Sequence, residues 1–126
     1  MKTFLRTAAV LAVTTGSVVA GISAAQAAPA CSTARVCLYD DYWFTGTLRS
    51  FNWVTSYVSD SANDKASSIV VGAPADPSSP YVYFYNDLNY GGYKLIYRGG
   101  NSNNDLRSET MYTGRNWDDE ISSVWG

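Results

Sequence analysis

Val36-Cys37-Leu38-Tyr39-Asp40-Asp41-Tyr42-Trp43-Phe44-Thr45-Gly46 lies over Val82-Tyr83-Phe84-Tyr85-Asn86-Asp87-Leu88-Asn89-Tyr90-Gly91-Gly92 when the chain is slid against itself. Tyr39 falls on Tyr85, Phe44 on Tyr90 and Gly46 on Gly92. Both segments therefore read aromatic, four residues, aromatic, one residue, glycine, and both run on into strand-like stretches, Thr47–Phe51 and Tyr93–Tyr97. A glycine at this place holds a backbone angle that a Cβ would oppose. The two aromatics then close the hairpin over its own turn.

A second repeat lies downstream of each hairpin. Asn63-Asp64-Lys65-Ala66-Ser67-Ser68 and Asp118-Asp119-Glu120-Ile121-Ser122-Ser123 both read acid or amide, acid, two variable residues, Ser, Ser, and both enter an apolar run. The pattern gathers carboxylates, an amide and hydroxyls at a strand entry, the hard oxygen donors that Ca²⁺ prefers. A single copy would read as a turn with exposed polar side chains. Two copies at equivalent places favour a metal site. The stretch from Tyr85 to Ser123 is about nine residues longer than that from Tyr39 to Ser68, and the polar Gly99–Asp105 segment is the expected home of the surplus.

All four Trp and all ten Tyr lie beyond residue 27, among Val, Thr, Ser, Gly and Asn, which is the composition of an all-β protein. Each half divides into four expected strands. In the first they are Arg35–Tyr39, Thr47–Phe51, Val54–Val58 and Ala66–Val71. In the second they are Tyr81–Tyr85, Tyr93–Tyr97, Glu109–Thr113 and Glu120–Trp125. Three of the four prolines fall between the halves, at Pro74, Pro77 and Pro80. Proline has no backbone donor and stops a strand, so residues 73–80 read as a connector. Four antiparallel strands cannot bury an apolar face alone, whereas two such units can pack as a sandwich. Trp43, Trp53, Trp117 and Trp125 are read as core in preference to a carbohydrate-binding face.

The N-terminus carries a secretory signal. Lys2 and Arg6 precede an uncharged small-residue run, Thr7 to Ala20, and Ala25-Gln26-Ala27 supplies a cleavage site. The run is too poor in large aliphatic residues for a membrane anchor. A signal peptide over 1–27 leaves one domain over 28–126, with a first motif at about 34–72 and a second at about 81–126. The chain's net charge of −2 becomes more negative once Lys2 and Arg6 are removed. That argues against nucleic acid or an anionic membrane as partner and accords with cation binding. Export places Cys31 and Cys37 in an oxidising compartment, where a disulfide is expected. Their spacing is not the two-residue spacing of a reactive dithiol.

Catalysis is not expected. The chain contains no histidine, which removes the usual general base and the nucleophile–histidine arrangements. The acids Asp40-Asp41 and Asp118-Asp119-Glu120 are adjacent, whereas a glycosidase needs two separated and differently tuned carboxyls across a cleft.

Taken together, the doubled hairpin and the doubled acid-acid-x-x-Ser-Ser signal resemble the Greek-key motifs of the βγ-crystallin superfamily, over about Arg35 to Gly126. The exported form is similar to bacterial proteins grouped with a metalloproteinase-inhibitor family of the same fold. The resemblance implies a two-motif β-sandwich with two Ca²⁺ sites built by exchange between the halves. It implies side-chain oxygens from Asn63, Ser67, Asp118 and Ser122, main-chain contributions at Asp64 and Asp119, and a carbonyl from Tyr42 or Leu88. Tyr39, Phe44, Gly46, Tyr85, Tyr90 and Gly92 would be structural, with Ser68 and Ser123 as buried partners of the hairpin backbone. The functional expectations are a secreted calcium-binding module or an inhibitor of secreted proteases acting through Gly72–Pro80 or Gly99–Asp105. A third is a toxin-like binder of cell-wall polysaccharide.

Overall fold

The computed structural model describes residues 27–126 of the chain. The expected signal peptide, Ala27 apart, lies outside the described residues. Alternation shapes the central strands. In β4 (Tyr81–Tyr85), Val82 and Phe84 are buried while Tyr81, Tyr83 and Tyr85 face outward. In β1 (Arg35–Asp41), Val36 and Leu38 face the core, and Cys37 and Tyr39 are buried on the opposite face. β1 pairs antiparallel with β2 (Thr45–Asn52) and β3 (Ser68–Val71), as β4 does with β5 (Lys94–Arg98) and β9 (Ser123–Trp125).

The halves exchange their third strands. β6 (Ser102–Asn103) belongs to the second motif but pairs with β3, so one sheet runs β2-β1-β3-β6. The other runs β5-β4-β9 and is extended by a bridge from Thr55, of the first motif, to Val124. Side chains from both sheets meet in one core that includes Val36, Ile69, Phe84, Leu106, Trp117 and Val124, all essentially inaccessible. Each fully buried side chain of this size contributes about 1.5–3 kcal/mol of apolar transfer free energy. Cys31 and Cys37 form a disulfide with a Cα–Cα distance of 6.0 Å, tying the segment before β1 to the first sheet.

Several expectations change. Val54–Val58 is not a regular strand. Thr55 alone exchanges backbone bonds with Val124, its hydroxyl turns back to the Asn52 carbonyl, and Val58 N–H reaches Ser122 O. The third strand of the second motif is β6, not Glu109–Thr113. That stretch forms β7 (Thr110–Tyr112), paired with β8 (Arg115–Asn116) in a hairpin of its own. Thr55 and Asn103 hold equivalent places, sixteen residues after Tyr39 and eighteen after Tyr85. Only two surplus residues therefore precede β6, and the other seven build the β7–β8 hairpin. Of the tryptophans, Trp53 and Trp117 lie in the core, whereas Trp43 and Trp125 are 53% and 46% exposed.

Candidate metal centres where the motifs cross

Each hairpin ends in a single 3₁₀ turn, Tyr42–Phe44 or Leu88–Tyr90, that contains left-handed residues other than glycine. Trp43 and Phe44 have φ of 61° and 59°, and Asn89 and Tyr90 of 54° and 63°. Such angles persist where the surroundings over-determine them. Ser68 Oγ accepts from Phe44 N–H and donates to Asp41 O, at 3.1 and 2.7 Å. Ser123 Oγ treats Tyr90 N–H and Asp87 O in the same way, at 2.9 and 2.6 Å. The ring pairs Tyr39–Phe44 and Tyr85–Tyr90 meet edge to face at 6.0 and 6.1 Å. Gly46 and Gly92, at φ of 79° and 80°, leave room for the Asp41 and Asn86 side chains, respectively.

The acidic loops then cross between motifs. Asp64 N–H donates to Ile121 O, and Asp119 N–H donates to Ala66 O. Both aspartates are left-handed, with φ of 57° and 60°, a region that aspartate tolerates better than most residues. The crossing brings Ser122 Oγ within 3.2 Å of Asp64 Oδ1 and Ser67 Oγ within 3.5 Å of Asp119 Oδ1. Each serine thus faces the aspartate of the other motif. The Asp64 and Asp119 carboxylates face these serines, and the N–H groups of the same two residues bond across the crossing.

The first positions of the two signals share a feature. Asn63 Oδ1 and Asp118 Oδ1 are buried and have no hydrogen-bond partner among the described residues. Asp118 Oδ2 accepts from the Tyr42 hydroxyl at 2.8 Å, and this bond, with burial adding to it, holds the phenol above its ordinary pKa. The Arg107 guanidinium lies 3.9 Å from the centre of the Tyr42 ring and is bonded to Asp105. Burial, then the neighbouring Asp118 carboxylate, raise the pKa of Asp119, with a smaller opposing effect from Ser67. Buried oxygens without donors, beside crowded carboxylates, are what a bound cation would satisfy.

Tyr42 and Leu88 occupy the hairpin tips, but their carbonyls are already engaged locally, by the Thr45 hydroxyl and by Gly91 N–H. The carbonyl beside Ser122 is that of Asn86, 3.1 Å from the hydroxyl. Sequence reasoning missed Asn86 and the Tyr42 phenol. Ser122 N–H bonds the carbonyl of Tyr85, the last residue of β4, which puts the next carbonyl of the chain within reach of the serine side chain, a consequence of register rather than residue type. No group of three or more His, Cys, Asp and Glu side chains converges among the described residues. The donors are a mixture of carboxylate, amide, hydroxyl and backbone oxygens, which suits a hard cation and not zinc.

Known proteins of this architecture are similar in both topology and size. A βγ-crystallin domain related to the eye-lens fold is 22% identical over 79% of this chain and 91% of its own, with a TM-score of 0.60. A βγ-crystallin from an archaeon is 28% identical, covering 75% and 98%, at 0.57. One from Ciona intestinalis is 23% identical, covering 72% and 96%, at 0.56. No curated protein sequence matches the chain. The profile of peptidase inhibitor family I36 matches residues 24–94, which hold the disulfide, the whole first motif and the second hairpin up to Lys94. With more than half of its length so matched, on a βγ-crystallin fold, the chain belongs to peptidase inhibitor family I36.

Proposed function

We propose that this is a secreted domain whose two loop crossings each hold a Ca²⁺ ion that stiffens the fold. The observation that carries the reading is the pair of buried, partnerless oxygens, Asn63 Oδ1 and Asp118 Oδ1, at equivalent places in the two motifs. A buried polar oxygen without a donor costs about 1–3 kcal/mol, and more when it carries charge. A cation removes that penalty. Ser67 with Asp118 and Asp119 would hold one ion, and Ser122 with Asn63, Asp64 and the Asn86 carbonyl the other. Water would complete both shells. Few charged ligands per ion imply affinities of roughly micromolar to millimolar, as in extracellular modules. Calorimetric titration of the chelator-treated protein with CaCl₂, alongside thermal melts, tests this. Two bound ions and a raised midpoint are expected, and no heat with no shift would sink the reading.

Family membership supports a second activity, inhibition of a secreted protease, for which the ion-stiffened sandwich serves as the scaffold. Of the two segments first considered, part of Gly99–Asp105 is taken up by β6. The connector, with residues 75–79 exposed, and the exposed tip of the β7–β8 hairpin at Thr113 and Gly114 are the candidate segments. Titration against a thermolysin-like metalloprotease is the check. Loss of peptidase activity at near-stoichiometric inhibitor is expected, and full activity at large molar excess would exclude that class of target.

A further inference from the structure

The outer face of the β5-β4-β9 sheet is built unlike the rest of the surface. Tyr81, Tyr83 and Tyr85 point outward along β4, with Ile96 on β5 and Trp125 on β9 both directly opposite Tyr83. Ile96 is 50% exposed, Trp125 46% and Tyr81 44%. Tyr90 extends the strip, its ring 5.2 Å from that of Trp125. The only charges on these three strands are Lys94 and Arg98, although the chain as a whole is acidic. Lys94 Nζ lies 5.3 Å from the Tyr83 ring centre and the Arg98 guanidinium 5.7 Å from that of Tyr81. Among the described residues neither cation has a carboxylate partner, as is also true of Arg35 and Lys65, whereas Arg49, Arg107 and Arg115 each have one. Beside Tyr81 and Trp125 opens a cleft of about 460 Å³ whose far side is formed by Ser78, Ser79 and Pro80 of the connector.

We propose that this face binds an acidic polysaccharide, a uronic-acid-type polymer, independently of the loop crossings. Flat aromatic rings stack on the C–H faces of pyranose rings. Ser79 offers its hydroxyl to the sugar hydroxyls, Ser78, whose hydroxyl already donates to Asp76 Oδ1, accepts there, and Lys94 and Arg98 answer the repeating carboxylates. A membrane fits less well, because two cations supply only about 2 kcal/mol of attraction to an anionic leaflet. An acidic peptide would need an apolar groove or a free strand edge to read its backbone. Among the described residues, the one free edge of this sheet, that of β5, lies on the side of β5 away from Trp125 and the cleft.

The test is affinity electrophoresis of the full protein through gels containing polygalacturonate, with chelator present so that calcium cannot bridge polymer and protein. Retardation that weakens with salt is expected, with little in gels containing dextran. Trp125→Ala and Tyr81→Ala should each weaken binding about tenfold, as loss of an aromatic contact does. Arg98→Ala, on an exposed side chain, should weaken it less while leaving the thermal midpoint unchanged. Absent or equal retardation in polygalacturonate and dextran would overturn the proposal. So would comparable binding of polyglutamate or of phosphatidylserine vesicles, or retention of full binding by both aromatic variants.

Discussion

At the residue scale, the two serines of each signal have different partners. Ser68 and Ser123 hold left-handed hairpin backbone on both sides of the hydroxyl. Ser68→Ala and Ser123→Ala should each lower stability by about 1–3 kcal/mol in denaturant titrations, with or without calcium, because buried partners are left unmatched. Ser67→Ala and Ser122→Ala should lower the calcium-bound melting temperature and scarcely move the calcium-free one; equal losses in both states would make these serines structural too. A third residue gives a pH signature. Tyr97 bonds Glu109 and accepts from Asn103, and burial, then Glu109, raise its phenol pKa well above the tyrosine norm. The folded state thus keeps a proton that the unfolded chain releases. Stability is unaffected below the ordinary tyrosine range near pH 10 and falls as pH rises through it. Denaturant midpoints measured across that range should fall less steeply in Tyr97→Phe than in the parent. The serine spacing was readable from the sequence. The Tyr97–Glu109–Asn103 triad was not, because it joins β5, β6 and the approach to β7, and nothing local links those residues.

At the element scale, the hairpins show which turns depend on their glycine. A Cβ on Gly92 would sit 2.1 Å from Asn86 Oδ1, the atom that accepts Tyr93 N–H at 2.7 Å. One on Gly114, at the β7–β8 turn with the same φ of 80°, would meet nothing within 4 Å. Both substitutions by alanine carry the left-handed penalty of about 1–2 kcal/mol. Only Gly92→Ala also displaces a side chain that ties the hairpin, so it should lower the unfolding midpoint clearly more than Gly114→Ala; equal losses would mean that Asn86 moves aside freely. The aromatic-x₄-aromatic-x-Gly pattern made these two hairpins legible because the paired aromatics and the glycine lie within a few residues of one another, although the serines that hold each turn come from further along the chain. The third strands were not legible. Thr55 and β6 pair with the opposite motif's sheet, and local alternation carries no record of which sheet a strand joins. The surplus was misplaced for a related reason. Gly99–Asp105 is polar enough to look like a loop, yet Ser102 and Asn103 are held by Val70 and Ile69.

At the scale of the whole molecule, the exchange makes each candidate metal centre a joint product of both motifs. Ser67 faces Asp119 and Ser122 faces Asp64, so neither half can complete a site alone. Ions bound at these crossings would oppose separation of the motifs, and the domain should melt in one transition whose midpoint rises with calcium. At a hundredfold excess over the dissociation constant the gain is about 2.7 kcal/mol per site. The two crossings are not equal in charge. Asp118 and Asp119 bring two carboxylates to one, whereas Asn63 and Asp64 bring an amide and one carboxylate to the other. Ca²⁺ affinity rises with the number of charged ligands. The Asp118–Asp119 crossing should therefore fill first, and calorimetric titration should resolve two phases. Asn63→Asp should tighten the weaker phase by about tenfold and draw the two together. It should also lower the calcium-free melting temperature, since it places a second carboxylate beside Asp64 without a cation to offset it. Two indistinguishable phases in the parent, or an Asn63→Asp variant that loses its weaker phase, would show that carboxylate count does not set the order of filling.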